Sequence, residues 1–160
     1  MTRLLFLAAL AATALPAEAE PWRLRTEVSE IDDSTNVFIS TGAEEPSAGR
    51  YGDAVQPVLT VRCMENETDV IIDWAMYITI DEVDVLTRLN KTPATTRSWL
   101  MSTNREATFA PNPIKFINEM TKHYRLLAKV TPYGENAVTT SFTIAGLETY
   151  LPALRKACHW

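Results

Sequence analysis

Two cysteines in a chain that opens with an export signal constrain this sequence more than any other feature. Cys63 closes the β-branched run Val58-Leu-Thr-Val-Arg-Cys63, and Cys158 stands two residues before the last, Trp160. In an oxidising compartment a pair of thiols is expected to be joined. A Cys63–Cys158 bond would tie the end of the chain to the middle of its core. Closing a loop of about 95 residues would stabilise the fold by roughly 4–5 kcal/mol in the chain-entropy model. It would also leave no thiolate for nucleophilic chemistry.

The export signal is read from the first 19 residues. Arg3 precedes the apolar run Leu4 to Leu15, Pro16 breaks it, and Ala17-Glu-Ala19 has the small-x-small pattern of a cleavage site. The run is too short to cross a bilayer as a helix, and no later segment qualifies. The expectation is a bacterial signal peptide over 1–19, cleavage after Ala19, and a single β-rich domain over 20–160 in the periplasm or outside the cell. The formal net charge is −5. With no stripe of Lys and Arg, the chain suits neither nucleic acid nor an anionic lipid surface.

Along 20–160, short β-branched and aromatic runs alternate with turn clusters, the pattern of an all-β domain. Strands are expected at 22–28, 36–41 and 58–63. In the third, Leu59, Val61 and Cys63 share a face by the two-residue period, which points Cys63 inward. The polar stretch 42–54, with Pro46, Gly49 and Gly52, reads as a long, mobile surface loop. Residues 69–80 read as the longest strand, apolar on both faces around Trp74 and central in its sheet, forming a hairpin with 83–89. Lys91 to Arg97 reads as a polar loop, with short extended pieces at 98–102 and 106–109. Pro113 suits the first turn of a helix over 114–121. Residues 124–131 and 137–145 form a second expected hairpin. Leu147, Leu151, Leu154 and Cys158 make a helical stripe interrupted by Pro152, which predicts a kink or a short helix starting near Leu151. The expected architecture is an antiparallel, sandwich-like β domain with one or two short helices, the C-terminal one stapled by the disulfide.

Catalytic constellations are absent from the pattern. The chain has two histidines, His123 and His159, and a Cys–His pair needs the thiolate that the staple removes. No nucleophile elbow, zinc-protease helix or phosphate loop occurs. Asp32-Asp33 and Asp81-Glu82-x-Asp84 lack calcium-loop spacing and read as turns. No metal, cofactor or catalytic residue is assigned. Trp74 reads as core. Trp99, among Arg97, Ser98, Ser102 and Thr103, reads as an interface anchor, since a Trp beside an Arg is a frequent hot spot.

A set of short motifs runs in order along the chain. It comprises Asp32-Asp-Ser34, Leu59-Thr-Val-Arg-Cys63, Trp74-x-x-Tyr77 with Asp81, Val85-x-x-Arg88, Trp99-x-x-Ser102 and Thr131-Pro-Tyr-Gly134. It ends with Gly146-Leu147 and Leu154-Arg-Lys-Ala-Cys158-x-Trp160. Together these resemble the VasI/TagO family of type VI secretion-associated proteins over essentially the whole exported chain, with His159 standing where the family more often has Gly. The resemblance implies an exported accessory protein, not an enzyme, and offers no catalytic residues to carry over. Arg88, Trp99 and Tyr133 fall on family motifs. The leading expectation is a non-catalytic periplasmic accessory of a type VI secretion apparatus that contacts an envelope or apparatus protein. Its candidate surface is Arg97, Trp99 and Ser102, with Arg88 and with Tyr133 of the 131–136 turn. The alternative is a free-standing envelope protein that binds or acts on cell wall, or an enzyme inhibitor.

Overall fold

Alternation of apolar and polar side chains builds most of the structure. In the computed structural model, which describes residues 21–160, β2 (Thr35–Gly42) buries Val37, Ile39 and Thr41 while the intervening residues face out. β5 (Val58–Met64) repeats the pattern with Leu59, Val61 and Cys63, all on the inner face as their period predicts. The leader 1–19 and its cleavage site lie outside the described residues.

β1 (Arg23–Val28) pairs antiparallel with β2, and β2 with β5. β5 turns directly into β6 (Glu67–Asp73) through Glu65 and Asn66. Both turn residues have positive φ, 51° and 61°. That is the two-residue hairpin geometry whose twist matches the flanking strands. The other half contains β7 (Val83–Leu89), β8 (Thr95–Met101), β10 (Arg125–Val130) and β11 (Val138–Thr143). The short β9 (Ala107–Phe109) joins the halves. One antiparallel sheet results, in the order β1-β2-β5-β6-β9-β8-β7-β10-β11.

β8 makes the corner. Its residues Thr95 to Trp99 pair with β7, and Leu100 and Met101 pair with β9 instead. A strand that leaves one layer for the other is how two packed layers share a single ladder. The far end of the sheet returns to its start: Glu44 N donates to Ser141 O (2.8 Å), and Trp22 Nε1 donates to Ala145 O (3.1 Å). Between the layers lies one core containing Ile39, Leu59, Ile72, Trp74, Leu126 and Phe142.

Two helices cover it. α1 (Pro113–Met120) carries its proline in the first turn, as expected, and buries Phe116, Ile117 and Met120. α2 (Leu151–Cys158) is the short helix that Pro152 allows at its start, and it buries Leu151, Leu154 and Cys158 against β2 and β5. Cys63 and Cys158 are bonded, with Cα atoms 5.7 Å apart. The mainly β fold and the stapled terminal helix are therefore as the sequence indicates.

Three local expectations are corrected. The strand expected over 69–80 stops at Asp73. Asp73 Oδ1 accepts Ala75 N (2.9 Å), and Ala75 takes a φ of 55°, which breaks the ladder. Trp74, Met76 and Ile78 remain buried beyond the break, so strand-like alternation persists without a strand. Nor do 69–80 and 83–89 form a hairpin: β6 pairs with β5 and β9, and β7 with β8 and β10. Finally, Thr95 to Arg97 belong to β8 and not to a loop, because polar side chains suit a face of the ladder that looks outward.

The stretch 42–54 also holds more order than its composition suggests. It carries the small hairpin of β3 (Ser47–Ala48) and β4 (Ala54–Val55). Its first residues are fixed by Ala43 N to Pro57 O and Glu44 N to Ser141 O, both 2.8 Å.

Candidate functional site

The exposed ends of the ladder, where turns leave the strands, are where side chains are free to meet something else. At one end three segments are laced together by backbone bonds. Ile78 N donates to Arg105 O (2.8 Å), and Tyr133 N donates to Ile78 O (2.8 Å). The irregular segment after β6 thus lies between the β8–β9 turn and the β10–β11 turn. On this platform Tyr133 is 77% exposed and Ile80 is 61% exposed. Arg50 of the β3–β4 turn approaches Glu135 at 3.5 Å, joining a fourth segment to the same end.

The five residues singled out from sequence do not form one patch. Tyr133 and Ser102 both sit at this laced end. Ser102 Oγ is a turn-former that accepts Ala107 N (3.0 Å) and donates to Asn104 Oδ1. Arg88 lies at the opposite end of β7, where its guanidinium donates to the carbonyls of Thr92 (2.9 Å) and Lys91 (3.4 Å) and braces its own hairpin. Arg97 is half-buried between them, lining a groove of about 480 Å³ with Phe116, Glu119 and His123. Trp99 is the clear departure. It is 2% exposed and meets Phe116 edge-on at 5.9 Å. In a strand its polar neighbour Ser98 points the other way, so a polar neighbourhood in sequence coexists with a buried ring. Trp99 holds α1 to β8 from beneath and presents no anchor at the surface.

Sequence reading missed a second polar centre. The Glu44 carboxylate accepts bonds from Arg125 Nε (2.9 Å), Ser141 Oγ (2.7 Å) and Thr143 Oγ1 (3.0 Å). Burial opposes its ionisation, but these donors together outweigh that and hold the carboxyl below its ordinary value. No local signal announces it, because the partners lie 81 to 99 positions away. Arg125 is itself placed by Asn90, whose Oδ1 accepts Arg125 N (3.1 Å).

Of the acidic groups, Glu82 accepts the Ser98 hydroxyl of β8 (2.7 Å), Asp84 lies within β7, and Asp32 serves a turn. Asp32 Oδ1 accepts the N–H (3.2 Å) and the hydroxyl (2.8 Å) of Ser34. The hydroxyls of Ser29 and Ser34 hold the Asp32 carboxyl below its usual range. Among the described residues no group of three or more His, Cys, Asp or Glu is arranged to hold a metal ion. None of the described helices is long and apolar enough to cross a membrane. The C-terminus is fastened beyond its disulfide: Trp160 Nε1 donates to Thr68 Oγ1 (2.8 Å), and Arg155 stacks over the Trp160 ring at 5.1 Å.

What these features define is a β domain closed by a terminal disulfide clamp, with Tyr133 and Ile80 exposed on its laced end. The family whose model is described as Type VI secretion system VasI, EvfG, VC_A0118 matches residues 8–160, essentially the whole chain, and the chain belongs to that family. It is therefore a type VI secretion-associated protein, of a family of secretion-system components and not of a known enzyme family. No curated protein and no solved structure matches it.

Proposed function

We propose that the chain is exported, is cleaved after Ala19, and works in the periplasm as a non-catalytic accessory of a type VI secretion apparatus. It acts by contact with an envelope or apparatus protein. The observation that carries this reading is the family match over 8–160. The Cys63–Cys158 bond supports the compartment, since such a bond forms and persists in oxidising surroundings.

The contact surface we propose is the laced end of the domain. Tyr133 supplies an exposed ring with a hydrogen-bonding tip, and Ile80 supplies an apolar neighbour. Ser102 shapes the adjoining turn. Backbone bonds hold the two flanking turns to the segment between them, so little ordering entropy remains to be lost on binding. Arg97 and its groove form a second contact on the flank, and Arg88 fixes the hairpin that borders it.

Deleting the gene in a strain with an active apparatus should reduce effector secretion, and the native gene supplied in trans should restore it. A Tyr133→Ala, Ile80→Ser variant should accumulate with its disulfide intact and restore less. Unchanged secretion on deletion would contradict the role. Full rescue by the double variant would contradict the surface.

A further inference from the structure

β1 is an outer strand of the sheet and pairs with β2 alone. All six of its residues are exposed, on both faces. α2 packs across β2 and β5 and stops short of it, leaving an open groove of about 420 Å³ between Thr26 on one side and Ala153 and Ala157 on the other. Leu24 is 46% and Val28 is 65% exposed, both on the inward-facing side, because their neighbours across the ladder are Ile39 and Thr35. An edge with free backbone groups and apolar side chains is a template for another strand.

The phase of that edge follows from one hydrogen bond. Ser29 N donates to Ser34 O (2.8 Å), the position that continues the β1–β2 register beyond Val28 and Thr35. In an antiparallel ladder successive residues alternate between bonding the partner and pointing away from it. Ser29, Glu27, Arg25 and Arg23 therefore bond toward β2, and Leu24, Thr26 and Val28 direct their N–H and C=O groups outward.

We infer that β1 pairs antiparallel with β1 of a second copy of this chain, about a two-fold axis at Thr26. The outward phase allows registers centred near the middle of the strand on Arg25, Thr26 or Glu27. The first sets Arg25 against the partner's Arg25, and the last sets Glu27 against the partner's Glu27. Both oppose like charges across the ladder. Centring on Thr26 sets Leu24 against the partner's Val28 on the inner face and Arg25 against the partner's Glu27 on the outer face, and each pair occurs twice by symmetry. It covers the two exposed apolar side chains of the strand. Within one copy Arg25 already bonds Glu27 (2.6 Å) and stacks over Phe38 (4.5 Å), so both charges stand on the outer face ready to be shared. The sheet would then run continuously through both copies.

Sedimentation velocity of the oxidised, exported chain over a concentration series tests this. The native protein should show a reversible monomer–dimer equilibrium. Arg25→Glu and Glu27→Arg should each weaken it, raising the dimer Kd by about tenfold to a hundredfold through two opposed like-charge pairs. An equimolar mixture of the two variants should dimerise again. One variant then carries acid at both positions and the other base at both, so opposite charges meet at each of the two contacts. Thr26→Pro, which removes an outward N–H at the axis, should leave a monomer with unchanged near-ultraviolet circular dichroism. A native chain that is monomeric at every concentration would overturn the proposal. So would a dimer that survives both charge reversals, or a mixture that fails to recover.

Discussion

Two ties cross this fold over almost the same length of chain, and they are made of different chemistry. Cys63–Cys158 spans 95 positions and joins α2 to β5. Glu44 to Ser141 spans 97 and joins the end of β2 to β11, where the sheet returns on itself. The first is covalent, at the buried face of a helix. The second is a carboxylate with three side-chain donors, one of them an Arg that is half exposed. Either tie brings together segments that local sequence keeps apart. Their difference lies in what can undo them: reductant but not acid for the disulfide, acid but not reductant for Glu44.

Breaking the covalent tie should have the largest effect. Replacing both cysteines by Ser, or reducing the native protein, should lower unfolding free energy by about 4–5 kcal/mol. Denaturant titration with and without reductant checks this, and coincident midpoints would remove the clamp from the account. The packing of α1 on β8, which neither tie touches, comes next. Trp99→Ala should cost about 3–5 kcal/mol, as truncation of a buried aromatic does. A cost below about 0.5 kcal/mol would return Trp99 to the surface.

Glu44→Gln should cost about 1 kcal/mol, since the lost charge-assisted bonds are partly exposed and screened. The ties share no residue, so this cost should add to that of the cysteine variant within a few tenths of a kcal/mol. The acid response then separates them. The Glu44 carboxyl is held below its ordinary value in the folded state. Its contribution is therefore present above the unfolded-state pKa, near the ordinary 4.5, and is lost as pH falls through the lower folded value. Thermal melts from pH 7 down through that window should show a steeper decline for the native protein than for Glu44→Gln. Parallel declines would contradict the role of the latch. The smallest effect belongs to Tyr133→Ala, which should change stability by less than about 0.5 kcal/mol while reducing secretion rescue.

The two ties are not equally legible in the sequence. The disulfide can be read because strand phase places Cys63 inward and helical phase places Cys158 on a buried stripe. The Glu44 latch cannot, because Glu44 lies in a polar, Gly- and Pro-bearing stretch and its donors come from two distant strands. The same contrast runs through the rest of the chain. β2, β5, β10 and β11 follow their two-residue period. Trp74 to Ile78 keeps that period while leaving the ladder, because burial continues after the Asp73 turn and periodicity reports burial and not hydrogen bonding. At the candidate surface, Tyr133 is legible as a turn residue. Trp99 misleads because its polar neighbours suggest a polar place, when Ser98 is on the other face of the strand and Ser102 and Thr103 lie in the turn beyond it. That β8 serves both layers depends on pairings that only the folded sheet reveals.

The most direct measurement is a peptide map, without reductant, of the protein isolated from the cell envelope after trapping free thiols. The account predicts a chain beginning at Glu20 whose Cys63 peptide is linked to its Cys158 peptide, with neither thiol trapped. Two trapped thiols on a chain that keeps its first 19 residues would contradict it.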